Sequence, residues 1–218
     1  MKQYKKTIIF TGIIILLPIL FGTIMWSKLP DTMATHFGMD GTPNGWSSKA
    51  FVVFGLPLFL LGVHMLCVFG QIKGEKKMKE ERKVSSKMYM LVLWICPLVS
   101  IICGVTMYSY ALGGQMDIFK IIQIFIALLF MAVGNYLPKC RQNHFIGIKL
   151  PWTLSDEETW NHTHRVTGWL WMSGGLVLLV NILFKVDWII YAVFGAMIIV
   201  PFVYSGVYYF LHKKADSQ

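Results

Sequence analysis

The 218-residue sequence is poor in charge: only 14% of its residues are Asp, Glu, Lys or Arg. A soluble domain carries about 25%, because water must be met by polar side chains over most of a small protein's surface. Together with 56% hydrophobic residues, this shortfall excludes a soluble globular protein. Cysteine is scarce as well. Cys67, Cys96, Cys103 and Cys140 form no C-x-x-C, and three of them fall in apolar stretches where a thiol packs as a small hydrophobe. No disulfide framework is expected. No apolar stretch has a central Asp, Glu, Lys or Arg, which counts against proton-coupled transport and against intramembrane proteolysis. No Ser, Cys or Lys nucleophile stands beside a base in a recognisable spacing, so an enzyme is not expected.

The apolar residues that are present lie in runs of the length, about twenty residues, that crosses a hydrocarbon core. Six runs qualify: about 7–26, 51–70, 88–112, 118–137, 168–184 and 188–211. The expected class is all-α, a polytopic membrane protein with six transmembrane helices. The first run follows Lys2, Lys5 and Lys6 and lacks a small-x-small cleavage site near Gly22 to Ser27, so it is expected to stay as a span. If the N-terminus is cytoplasmic, sixteen of the twenty Lys and Arg lie inside, leaving Lys28, Lys49, Lys120 and Lys185 outside. The positive-inside rule therefore puts both termini in the cytoplasm. The net charge of +9 follows from this asymmetry, and without aromatic and basic interleaving no direct nucleic-acid partner is expected.

The expected organisation is a two-span region at 1–70, a basic cytoplasmic loop at 71–87 and a four-span domain at 88–218. The outer loop at 27–50 includes Pro30 and His36, and its Asp-Gly, Thr-Pro and Asn-Gly pairs are turn chemistry. With Gly41 and Gly45 able to take positive φ, a small hairpin-like extracellular cap carrying Trp46 is expected. Asp40 and Asn44 read as turn residues rather than calcium ligands, because the loop lacks the full run of oxygen donors. In the basic loop, Glu75 and Lys79 are spaced as a helical pair, and attraction to anionic membrane lipids accounts for the remaining charge.

The inner segment at 135–168 carries the most information. Pro138, Gly147 and Pro151 make its first part extended or turning chain. Ser155 and Glu158 read as a capping box that starts a short interfacial helix running toward the fifth span. On that helix Glu158, His162 and Arg165 share one face, and Trp160 and His164 share the neighbouring one. His162 and His164 stand two apart and point in different directions, so no metal site is expected. No cofactor is implied.

The run N-Y-L-P-K-x-R-x-N-x-F-x-G-I-K-x-P-W-T-L-x-D-E-E-x-W, followed by T-H-R, resembles the signature segment of the SdpI family of bacterial membrane proteins. The stretch L-P-D-T-M-A-T-H-F-G-x-D-G-x-P-N-G-W-S-S-K resembles the small domain of unknown function that often precedes it. Leu150 stands where many relatives have Thr. The resemblance implies a functional motif comprising Asn135, Pro138, Lys139, Asn143, Gly147, Pro151, Trp152, Thr153, Glu158, Trp160, His164 and Arg165. It further implies immunity to a secreted peptide toxin and a cytoplasmic transcriptional repressor as a possible signalling partner. A small membrane transporter or a lipid-acting enzyme is the alternative.

Overall fold

The computed structural model describes residues 4–38, 40–77 and 86–215. The elements in chain order are α1 (Lys5–Ile24), β1 (Thr32–Phe37), β2 (Pro43–Ser48), a π-helical turn (Phe51–Gly55), α2 (Leu56–Lys77), α3 (Ser86–Ala111), α4 (Ile118–Tyr136), a 3-10 turn (Leu137–Lys139), α5 (Pro151–Ser155), α6 (Glu157–Phe184) and α7 (Asp187–Ala215). Six helices among the described residues are long and apolar enough to cross a membrane. Lipid offers no partner to free backbone groups, so runs of this length and composition satisfy their amides within each helix. This is a multi-pass, all-α membrane protein.

The chain forms two compact units, Met1–Lys73 with Tyr89–Ile122, and Gly74–Met88 with Gln123–Gln218. In the first, α1 packs against α2 and α3 through small residues. A Cβ at Gly22 would fall 2.7 Å from the Tyr108 hydroxyl and 2.8 Å from Val53, so glycine is what permits this approach. Two carbonyls of α1 are tied to α3: Tyr108 Oη donates to that of Pro18 (2.9 Å) and Ser100 Oγ to that of Ile15 (2.8 Å). Leu29, Met33, Val52, Val53, Met107 and Tyr108 form a buried cluster beneath the hairpin.

The hairpin is antiparallel, and its register is broken by irregularities between Ala34 and His36 and between His36 and Phe37. Gly41 takes φ 78°, as a tight turn demands. Gly45 does not adopt positive φ. It lies in β2 opposite His36, where a Cβ would approach the His36 Cβ to 2.8 Å, so its need for glycine is steric. Asp40 accepts from both the amide (3.0 Å) and the hydroxyl (2.8 Å) of Thr42. The hydroxyl bond, followed by the amide bond, holds its carboxyl below the usual range. Phe37 and Trp46 both stand edge-on to Tyr110, at 5.3 and 6.5 Å.

In the second unit, α6 is the central element, and it corrects two expectations. The helix expected to start at Ser155 is continuous with the fifth span: one helix of 28 residues runs from Glu157 to Phe184, about 42 Å at 1.5 Å per residue. Its N-cap is Asp156, whose carboxylate accepts from Thr159 N at 2.6 Å. The expected box between Ser155 and Glu158 does not form, because α5 occupies Pro151–Ser155 and the Ser155 hydroxyl donates back to the Trp152 carbonyl (3.1 Å). The helix closes with Lys185 in the left-handed region, φ 51°. Asn181 brackets that end by bonding both the carbonyl (3.1 Å) and the amide (3.2 Å) of Val186. Gly168 and Gly175 allow α4 and the turn after it to approach, since a Cβ at either would fall within 2.7 Å of a backbone carbonyl. The expected pairing of Glu75 with Lys79, and residues 78–85 of the basic loop, lie outside the described residues.

Candidate functional site

The segment between α4 and α6 has little regular structure of its own and is held by side chains. Tyr136 ends α4, and Lys139 returns its ammonium to Asn135 Oδ1 (3.4 Å) and over the Tyr136 ring (5.2 Å). Pro138 lies against Gly168. Asn143, almost wholly buried, organises the next turn. Its Oδ1 accepts from the amides of Phe145 and Ile146 (both 2.8 Å), while Nδ2 donates to the carbonyls of Arg141 (2.8 Å) and Ile146 (3.1 Å). Four backbone groups are thereby bonded by one amide.

Trp160 and His164 form the floor. Both are buried, and their rings stack at 4.0 Å with 21° between planes. The Trp160 indole N–H donates to the Cys140 carbonyl (2.7 Å). The Ile148 amide donates to His164 Nε2 (3.0 Å), and His164 Nδ1 donates to the Trp160 carbonyl (2.8 Å). Because Nε2 accepts, the imidazole here is the neutral Nδ1–H tautomer. Gly147 passes directly over the pair at φ 121°. A Cβ there would overlap His164 Nε2 and lie 2.8 Å from the Trp160 ring.

Thr153 and Trp152 secure the far side. Thr153 Oγ1 accepts from the Leu150 amide (2.9 Å) and donates to the Ile148 carbonyl (2.7 Å), with Pro151 at the first position of α5. Trp152 crosses to α7, where its indole N–H donates to Ser205 Oγ (2.8 Å) and its ring stands edge-on to Phe202 at 5.5 Å. Apolar grooves of about 390 and 510 Å³ lie on either side of this pair.

At the start of α6, Glu158 reaches α7 instead of its own helix. Oε1 accepts from the Tyr208 hydroxyl (2.8 Å) and Oε2 pairs with His212 Nε2 (2.7 Å). His162 stacks on Tyr208 at 4.5 Å. Arg165, expected on that face, is exposed further along the helix. Asp156 beside them is pushed upward by burial, but the Thr159 hydrogen bonds and the nearby His212 outweigh this and leave it below the usual carboxylate range. Burial pushes the Cys140 thiol up, against a smaller lowering from Asn143.

Of the motif residues, the structure brings Asn143, Gly147, Thr153, Trp160 and His164 into one buried assembly, with Pro151 and Trp152 adjoining it. Asn135 and Lys139 pair at its entrance, and Glu158 belongs to the contact with α7. Pro30, His36, Gly41 and Trp46 belong to the first unit, in or beside the hairpin, where His36 Nδ1 bonds Asn44 Oδ1. Sequence reasoning missed Gln142, which is buried and donates to the carbonyls of Thr153 (2.9 Å) and Leu154 (3.1 Å). It also missed Ser205, Tyr208 and His212 on α7. The spacing of Tyr204, Tyr208 and His212 by four was a legible helical stripe, but nothing local says what it faces. No group of three or more His, Cys, Asp or Glu able to hold a metal occurs among the described residues.

Residues 139–205, which enclose most of this assembly, match the SdpI/YfhL protein family. Residues 13–61, which contain the hairpin, match a domain of unknown function, DUF1648. The chain is 25% identical over 214 residues to the Immunity protein SdpI of Bacillus subtilis (strain 168), covering 98% of this chain and 99% of that protein. No solved structure matches. Residues 139–205 are thus similar to the SdpI/YfhL family, with a segment similar to DUF1648 ahead of them.

Proposed function

We propose that this protein confers immunity on its cell by binding a secreted, membrane-active peptide toxin, and that binding rather than turnover is its mechanism. The observation that carries the reading is the near end-to-end similarity to an immunity protein. The folded segment at 135–168 supports it: Asn143, Thr153, Trp160 and His164 bond its backbone and hold it in one ordered arrangement, as a recognition or coupling element needs. In this reading the hairpin faces outside, both termini are cytoplasmic, and the segment at 135–168 is cytoplasmic. A toxin arriving from outside meets Phe37, Trp46 and Tyr110 first, and the apolar surfaces of the spans accommodate its apolar face. Holding a transcriptional repressor at the membrane would be a second output. It requires the toxin to favour one of two arrangements of the cytoplasmic segments, since a ligand without differential affinity shifts nothing.

The test is expression in a toxin-sensitive bacterium challenged with a panel of secreted membrane-active peptides, the one encoded nearest this gene included, alongside binding to the purified protein. Protection together with direct binding is expected. Equal killing with and without the protein across the panel would reject immunity, and protection without binding would reject the mechanism.

A further inference from the structure

In the first unit, the π-helical turn and α2 together present one buried stripe: Val53, Pro57, His64, Val68 and Gln71. Two of these positions are polar although they lie within a membrane span. Exposure is 0% at His64 and 5% at Gln71, and Thr11 on α1, also 0% exposed, places Oγ1 3.0 Å from His64 Nε2. The Thr11 hydroxyl lies 2.9 Å from the Thr7 carbonyl, so its single hydrogen serves the helix backbone and the His64 Nε2–H donates to Thr11. That leaves the lone pair of Nδ1. Among the described residues, His64 Nδ1 and Gln71 Nε2 are wholly buried with no hydrogen-bond partner. The first is an acceptor and the second a donor. Leaving either unmatched costs about 1–3 kcal/mol.

The packing register shows where these atoms lie. Thr11 meets His64 and Gly22 meets Val53, so α1 and α2 are antiparallel and Gln71 falls near the level of Tyr4. On α3, Ser100 meets Ile15 and the Tyr89 ring stands 6.0 Å from Tyr4, so α3 runs parallel to α1 and brings Tyr89 to the same level. The polar positions thus run from the Tyr4–Tyr89 end of the bundle to His64. Gln71 and His64 are two helical turns apart, about 10 Å along the axis.

We propose that this interface holds a short file of internal water molecules, running from Gln71 near the Tyr4–Tyr89 end to His64 Nδ1. Water is the ligand class that fits, because it can accept from the Gln71 amide at one end of the file and donate to the imidazole lone pair at the other, and buried waters satisfy about three such groups each. Apolar chains match neither atom. The file gives an imidazole within the spans access to exchangeable protons from one end of the bundle, a property the immunity reading neither requires nor supplies.

The experiment is water-edited solid-state NMR on full-length protein labelled with 15N-histidine in phospholipid bilayers, the His64 signal being identified by its loss in His64→Gln. The ring nitrogens of His64 are expected to receive polarisation from water at a rate close to that of His36 on the hairpin. In Gln71→Met, which keeps side-chain length and removes the amide, that transfer is expected to fall several-fold while the His36 signal is unchanged. Polarisation of His64 from lipid alone in the unmodified protein would overturn the proposal. Unchanged transfer in Gln71→Met would overturn the path through Gln71.

Discussion

Gly147, Trp160 and His164 are bound together by space as much as by hydrogen bonds. At φ 121° the backbone of residue 147 is in a region that costs an ordinary side chain about 1–3 kcal/mol, and any Cβ would also collide with the stacked rings. Gly147→Ala is therefore expected to lower the thermal midpoint in detergent and to abolish protection. Trp160→Phe keeps an aromatic ring but loses part of the indole's buried volume and the N–H that reaches the Cys140 carbonyl, and the unmatched acceptor alone costs about 1–3 kcal/mol. Its effect should show as a lower midpoint in the same assay. Cys140 offers an independent measure of order. Because burial pushes its thiol up, little thiolate exists at neutral pH, and the thiolate is the reactive species. In a variant retaining Cys140 alone, maleimide should label it only after denaturation; rapid labelling of the native protein would mean that this segment opens readily.

At the scale of elements, the decisive feature is that α6 begins outside the apolar run and continues through it. Its start depends on Asp156, so Asp156→Ala should cost about 1 kcal/mol, and Asp156→Asn less, because both Asn and Asp cap helices. The pH dependence has a definite sign. A carboxyl held below its usual range stabilises the folded state above its unfolded pKa, and that contribution is lost as pH falls through the folded one. The midpoint of the parent protein should therefore fall on acidification below the ordinary carboxylate range, and the difference between it and Asp156→Ala should shrink there. A difference that grew in acid would refute this account of the cap. The link between α6 and α7 through Glu158, Tyr208 and His212 belongs to the same scale. Glu158→Ala should reduce protection at unchanged membrane abundance if the coupling of these helices is part of the function, and unaltered protection would assign the contact to packing alone.

For the whole molecule, the orientation proposed from the distribution of lysine and arginine is open to direct test. In a background whose four cysteines are replaced, an impermeant maleimide added to intact cells should label Ser48→Cys on the hairpin and leave Ser155→Cys, at the end of α5, unmodified. The reverse pattern would turn the protein over in the membrane and remove the hairpin from the path of an external toxin.

The membrane class and the positions of the six spans were legible in the sequence because both depend on local quantities, the length of an apolar run and the placement of charge, to which the bilayer responds directly. Turn chemistry likewise announced the hairpin, and the family motif marked the segment at 135–168. The start of α6 was misplaced by one residue at its cap, since Ser155 and Asp156 are both good N-caps and only α5, which consumes Ser155, decides between them. Glycine at 45 was legible as a residue but not as a reason, because His36 across the hairpin supplies the reason. The partners of Trp152 and Glu158 lie about fifty residues away on α7, and no periodicity within a window reveals which face of one helix meets which face of another. Those pairings, the neutral tautomer of His164 and the burial of His64 beside Thr11 were decided by tertiary packing, which alone fixes the partner left to each polar group once water is excluded.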